Sequence, residues 1–437
     1  MFVDDHLVEK MTDARLVLHR PVPREVAIVH DAPWEGNVCF YHTVFRDGDL
    51  FRMYYRGAHH DYTAGKVSHQ VVCYAESDDG IHWRKPELGI VEFDGSKKNS
   101  IIWNGVGSHN FAPFKDPNPD CKPDELYKAL GGGHGGLVAF KSPDGIHWSL
   151  MSDGAVITKG AFDSQNLAFW DSERGRYVDF HRGFQNGVRD IMTCTSKDFL
   201  HWTEPVWLEY PGAPKEHLYT NQITPYYRAP HIFMGFPKRF LPSRRGTDHR
   251  LPGVSDGVFM TSRDGLKFNR WTEAFIRPGP QKERWVCRNN EIAWGMLETK
   301  SNVPGAPNEL SLYSIEGYYQ GDDCQMRRYT LRTDGFASVQ APMAGGEFVT
   351  KPILFVGKQL VLNFSTSAAG SIRVEAQTPS GDPIEGFALT DCQEVFGDAI
   401  ERAVTWTAES DLGKLAGQPI RLRFVMKDAD LFAIRFR

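Results

Sequence analysis

Apolar and polar residues alternate with a period of two along most of the 437-residue chain, in short runs broken by turn residues. Runs such as VVCYAES, LVAFKS, IMTCTS and VFMTS each present one apolar face, the pattern of half-buried β-strands. Each of these runs ends in a related box: SDDGIHW from Ser77, SPDGIHW from Ser142, SKDFLHW from Ser196 and SRDGLKF from Ser262, with an eroded copy, RTDGFAS, from Arg332. The Asp-Gly pair supplies a tight turn and the aromatic packs beneath it, so every box joins two strands. Further strand-like runs precede the boxes, separated by hairpin signals such as RDGD and SERGR. Box starts lie 54 to 70 residues apart, too far for a solenoid coil and about right for a four-stranded sheet with long loops.

Five such units, none able to bury both faces alone, predict an all-β fold with a five-bladed β-propeller over residues 25–342. After Gly345 and Gly346 the box disappears while period-two runs continue (LVLNFST, SIRVEAQT, AVTWTA, IRLRFVM, LFAIRF), which predicts a C-terminal β-sandwich over 345–437. Residues 1–24 are expected to wrap one of the two domains. Composition agrees: 41 Gly and 26 Pro punctuate the chain, a load suited to short strands, and 41% hydrophobic residues suffice for a large core.

The formal net charge of −5 offers no electrostatic footprint for nucleic acid or an anionic membrane. Charged residues or glycines break every hydrophobic run well short of the roughly 18 apolar residues of a membrane helix. The first residues, MFVDDHLVEK, lack a basic segment leading into an apolar one, so no secretory signal is expected in the chain as given. That fits a cytoplasmic protein or a trimmed exported one, and oligomeric state is left open. Seven scattered cysteines without CxxC pairs argue against a disulfide framework and read as small buried hydrophobes.

Five blades closed by S-x-D-[GFL]-x-x-W turns and followed by a sandwich resemble the glycoside hydrolase clans with furanosidase-type propellers, the invertase-like and arabinanase-like families. SKDFLHW looks like their S-x-D-L-x-x-W element. The box is structural, so the resemblance speaks first for fold. For function it implies a glycosidase acting on O-glycosyl bonds of a poly- or oligosaccharide, a reaction that needs one protonated and one ionised carboxyl. It also implies a nucleophile or base at the start of blade one, where HDAPWEGN offers Asp31 and Glu35. The W-x-N-D-P-N-G signature of invertases is missing, and Glu35 is preferred.

In a propeller the first strand of each blade lines the channel, so polar residues at its entrance converge. By that register Asp163, flanked by Ser, Gln and Asn in GAFDSQN, joins Glu35 as the leading pair. Asp116 in KDPNPD is similar to the R-D-P of invertases, and Glu316 interrupts an apolar-aromatic strand. Glu291 in CRNNEIAW ranks lower because it lacks the E-C or E-G-P context of the family acids.

Arg56, Arg182 and Arg228 could fork to carboxylates or hydroxyls, while Asn110, Gln165, Asn166, Asn221, Gln222 and Asn289 suit hydroxyl recognition. Trp34, Trp170 and Trp285 offer stacking faces. Arg56 with Arg288 would also suit phosphate, which keeps phosphorolysis open beside hydrolysis. Adjacent His59 and His60 with Asp61 have no third metal ligand placed by spacing, so no catalytic metal or other cofactor is expected. A structural Ca²⁺ in the channel, which needs only oxygens, stays open. GGGHGG from Gly131 is not followed by the Lys-Ser/Thr of a phosphate loop. The alternative from another class is a carbohydrate-binding, lectin-like propeller without turnover.

Overall fold

Strand is the rule throughout the computed structural model, which describes residues 1–61, 63–246, 252–319, 324–407 and 411–437. Among these residues the helical segments are three short 3₁₀ turns, Pro123–Glu125, Lys282–Arg284 and Leu412–Leu415. None is long and apolar enough to cross a membrane. The fold is therefore all-β, assembled from many small antiparallel sheets.

The chain divides into two compact units. One comprises Pro21–Asn302 with Glu309–Thr330. It holds five four-stranded sheets. Sheet one runs through Phe40–Asp47, Leu50–Asp61, Lys66–Ser77 and Ile101–Trp103, and sheet two through Ala112–Lys115, Tyr127–Gly133, Gly136–Ser142 and Ser149–Leu150. Leu167–Asp171, Arg176–Gln185, Val188–Ser196 and Val206–Trp207 form sheet three; Thr224–Tyr226, Ala229–Gly235, Met260–Ser262 and Asn269–Arg270 form sheet four. A three-stranded sheet of His217–Leu218, Lys238–Leu241 and Val254–Gly257 accompanies the fourth. Sheet five joins Leu297–Thr299, Glu309–Glu316 and Gln325–Arg332 to Val22–Val29, a strand from the other end of the sequence.

The boxes form the turns their sequence demands. At Ser77, Ser142, Ser196 and Ser262 the hydroxyl accepts the backbone N–H three residues on, at 2.9 Å in each copy. The box Asp accepts the next two N–H groups; at Asp198 these come from Leu200 at 2.9 Å and His201 at 2.8 Å. Gly80, Gly145 and Gly265 occupy the left-handed position at φ 72°, 78° and 78°, and Phe199 takes the same place at φ 68°. That strain at Phe199 is compensated by packing: its ring is fully buried against Phe114, Tyr177 and Trp202.

In the fifth copy the left-handed residue is Asp334. The strand that follows it, Ala337–Ala341, pairs with Arg15–Leu18 and Arg421–Phe436. The other unit accordingly gathers Met1–Arg20, Val303–Asn308 and Leu331–Arg437. The first twenty residues supply two strands of a sheet in this unit.

That seven-stranded sheet contains Val8–Thr12, Gly346–Thr350, Arg421–Phe436, Ala337–Ala341 and Arg15–Leu18, with Leu360–Gln377 and Asp398–Ala403 attached. Its core holds Phe348 stacked on Phe424 at 4.6 Å, with Trp406 and Leu362. Six cysteines are buried, Cys121 is partly so, and all seven are free.

Candidate active site

Ionisable and aromatic side chains gather at the entrances of the first strands. Tyr41 opens sheet one, His109 precedes sheet two, Asp163 precedes sheet three, Tyr219 precedes sheet four and Glu291 precedes sheet five. Contacts join them into one cluster. His109 Nε2 lies 2.9 Å from Asp163, and Arg56 reaches His109 at 3.2 Å and Tyr318 at 2.7 Å. The Arg56 guanidinium stands 5.4 Å from the Tyr41 ring. Lys238 donates to Glu291 at 2.8 Å and sits 4.2 Å from the Phe40 ring and 4.3 Å from that of Tyr219. Arg288 donates to Tyr319 at 2.6 Å. Tyr41, Gln222, Arg288, Asn290 and Tyr319 all hold positive φ, a strained backbone concentrated where five strand entrances meet.

The two carboxylates of this cluster are driven in opposite directions. Burial raises the Glu291 pKa above its ordinary value, and Lys238, Arg56 and Arg288 only partly offset it. Burial also opposes charge on Asp163, yet the His109 hydrogen bond and the charges of His109, Arg182 and Arg288 outweigh it and hold its pKa down. The Asp163 side chain keeps 65% of its surface exposed, whereas Glu291 is 3% exposed. Arg288 acts on both carboxylates, and both act on the buried Tyr41 hydroxyl. A carboxyl favouring the proton and one favouring the charge, in one field, is the electrostatic requirement for acid–base work.

The remaining expected acids are placed differently. Glu35 is fully buried and takes four donors: His30 at 3.2 Å, Tyr55 at 2.6 Å, the Ala32 amide at 2.8 Å and Lys85 at 2.7 Å. Burial pushes its pKa up, but His30 and Lys85 more than cancel that and hold it at about 2. No hydrogen bond or ion pair joins it to Asp163; its oxygens are saturated, which suits a structural anion. The neighbouring Gly36 at φ 66° is required there, since a Cβ would stand 2.3 Å from the Ala58 carbonyl oxygen. Asp31 is a surface partner of the same Lys85 at 2.8 Å. Glu316 is held by Arg327 at 2.8 Å and Arg284 at 3.4 Å. Asp116 is buried against Lys128 and Tyr177, both at 2.6 Å. It borders a cavity of about 570 Å³ lined by the far ends of the first strands, among them Phe114, Trp170 and Leu297. None of these four joins the Asp163–Glu291 cluster.

The amides expected to read hydroxyls bind the backbone instead. Asn110 donates to the Ser164 carbonyl at 2.6 Å and to that of Phe162, and Asn166 donates to the same two carbonyls at 2.8 and 3.1 Å. Gln165 bonds the carbonyls of Tyr41 and His42, both at 3.2 Å, and accepts from Gln222 at 2.8 Å. Asn221 bonds the Phe180 carbonyl at 3.1 Å, and Asn289 that of Tyr318 at 3.1 Å. They stitch neighbouring segments together beneath the cluster. Trp34 donates to Ser100 at 3.3 Å and Trp285 to Gly279 at 2.8 Å, outside it, and Arg228 is exposed in a hairpin turn. Of the arginines, Arg56, Arg182 and Arg288 are at the cluster.

Among the described residues the metal-like grouping is Asp179, His181 and Cys194, buried in sheet three, and not His59, His60 and Asp61. Both His181 nitrogens are engaged there, with Asp179 and with the Lys159 carbonyl at 2.9 Å.

Sequence reasoning ranked Glu291 low and passed over Tyr41, His109, Arg189, Tyr219 and Lys238. A signal existed: His109, Tyr219 and Glu291 stand in the same strand-entrance register that drew attention to Asp163.

No family model matches the sequence, and no curated protein matches it. Solved structures with similar folds include a glycosyl hydrolase from Bacteroides ovatus (16% identity, 72% of this chain and 94% of that one, TM-score 0.45). Another is the catalytic domain of the Coprinopsis cinerea GH62 alpha-L-arabinofuranosidase (11% identity, 72% and 97%, TM-score 0.44). A third is an N-acetylgalactosamine deacetylase from F. plautii (14% identity, 78% and 92%, TM-score 0.42). Likenesses this loose carry no argument about what the present chain does.

Proposed function

We propose that this chain is a glycoside hydrolase in which sheets one to five form a five-bladed propeller, the seven-stranded unit is a C-terminal sandwich, and Asp163 and Glu291 are the working carboxyls. The observation that carries this reading is the opposed ionisation of two acids that share Arg288 and Tyr41. Glu291, whose pKa burial raises, donates its proton to the departing glycosidic oxygen. Asp163, kept ionised by His109, attacks the anomeric carbon or takes a proton from the attacking water. Arg56 orients His109, and the Arg288 charge helps hold Asp163 in its ionised form. Glu35, Asp31, Glu316 and Asp116 hold structure in this scheme.

The test is sugar release from a panel of polysaccharides and aryl glycosides by the wild type and by Asp163→Asn and Glu291→Gln. Each substitution should lower kcat at least 10²-fold with the fold intact, in line with the contribution of one acid–base group. Release that survives both substitutions would sink the assignment. Saturable sugar binding without release by the wild type would replace hydrolysis with a binding function.

A further inference from the structure

The cluster carries more positive charge than its carboxylates balance. Arg56, Arg182, Arg189, Arg288 and Lys238 converge on Asp163 and Glu291, in a protein whose overall formal charge is −5. Among the described residues, none of the four arginines has an ion pair with a carboxylate. Arg182 is 5% exposed, donates through Nε to the Ala161 carbonyl at 3.2 Å, and its buried Nη1 has no hydrogen-bond partner. Arg189 makes only a long contact of 3.4 Å to His217, and its buried Nε is unpartnered too. The Nε atoms of Arg56 and Arg288 are likewise buried without partners.

Aromatic rings hold these cations in place. Arg182 lies 4.8 Å and Arg189 5.2 Å from the Tyr219 ring, and both lie over Phe184, at 5.5 and 5.2 Å. Two guanidiniums are thus gathered around shared rings, where each repels the other. Burial and the Arg182 charge depress the Arg189 pKa, the mark of a cation without its counter-charge. Unsatisfied guanidinium hydrogens are costly when buried and become favourable once a planar anion takes them two at a time.

We propose that Arg182 and Arg189, on the Asp163 side of the cluster, bind the carboxylate of a uronic acid unit, so that the substrate is an acidic glycan. A carboxylate is planar and accepts a guanidinium fork through both oxygens, which matches the paired, ring-stacked arginines. This rests on the glycosidase reading for the word substrate; the carboxylate site itself does not.

Binding and turnover therefore need separate measurements. Calorimetry on full-length Asp163→Asn should use oligogalacturonides and glucuronic-acid-bearing oligosaccharides, the same sugars after carboxyl reduction, and inorganic phosphate and sulfate. The acidic sugars should bind, carboxyl reduction should weaken binding at least tenfold, and affinity should fall with rising salt. Adding Arg189→Gln should remove the preference for the acidic form; Arg182→Lys, which keeps the charge and loses the fork, should reduce it. Equal affinity for acidic and reduced sugars, or binding of phosphate or sulfate without uronate, would overturn the proposal. Uronate binding without hydrolysis by the wild type would remove the glycosidase and leave the carboxylate site standing.

Discussion

Asp163 and Glu291 differ in what surrounds them, and their difference has a measurable pH signature. Asp163 must be ionised and carries a depressed pKa, so activity should rise as pH climbs through a value below the ordinary aspartate range. Glu291 must be protonated and carries a raised pKa, so activity should fall as pH passes a value above the ordinary glutamate range. The expected kcat/KM profile is a bell whose acid limb belongs to Asp163 and whose alkaline limb belongs to Glu291. Lys238→Met should move its alkaline limb further up, because the cation that favours the Glu291 anion is gone; an unmoved limb would remove Glu291 from the acid role.

Glu35 gives the opposite kind of prediction, one of stability. Its folded pKa of about 2 lies below the 4.5 of an unperturbed glutamate. The associated stability is fully present above pH 4.5 and is lost as pH falls toward 2, on the order of 3 kcal/mol in total. Glu35→Gln should therefore lower urea stability at pH 7 and flatten its dependence between those pH values. If the variant instead kept wild-type stability at pH 7, the structural role would fail.

At the scale of elements, the repeated turn is a small cooperative device. In each full copy one Ser and one Asp satisfy the N–H groups of a strand crossing, and the aromatic residue covers it. Asp198→Ala removes the oxygen that accepts two backbone N–H groups and should cost about 1 to 2 kcal/mol, read as a shift in urea midpoint at constant slope. Gly145→Ala should cost about the same, since its φ of 78° disfavours a Cβ that would also stand 2.8 Å from the Tyr54 hydroxyl. The strand after the eroded fifth box pairs with Arg15–Leu18 and Arg421–Phe436, and Phe336 of that box is still fully buried.

For the whole molecule, the decisive pairing is that of Val22–Val29 with Gln325–Arg332. It places a strand from the start of the sequence at the outer edge of the last sheet, where Glu25 caps the fully buried Arg328 and Ile28 is buried opposite Met326. Removing residues 1–29 should leave Arg328 with one carboxylate partner fewer and expose the edge of Gln325–Arg332. The expected result is a broad, low-temperature unfolding transition and aggregation, measured by calorimetry and light scattering. Cooperative unfolding at the wild-type Tm would show that sheet five does not need this strand.

The sequence by itself determined what depends on neighbours along the chain. Period-two alternation, Asp-Gly turns and Ser-Asp caps act over a handful of residues, so the all-β class and the strand-turn units were legible. What acts across sheets was not. Glu35, Asp116 and Glu316 look as available in sequence as Asp163, and only folding brings Lys85, Lys128 and Arg327 onto them. The same holds for Asn110, Gln165 and Asn221, whose partners are backbone carbonyls of other segments. Glu291 became a candidate because Lys238, Arg56 and Arg288 arrive from distant positions while burial strips its solvent. Ionisation is set by that three-dimensional surrounding of charge and exclusion of water, and the tertiary structure alone decides it.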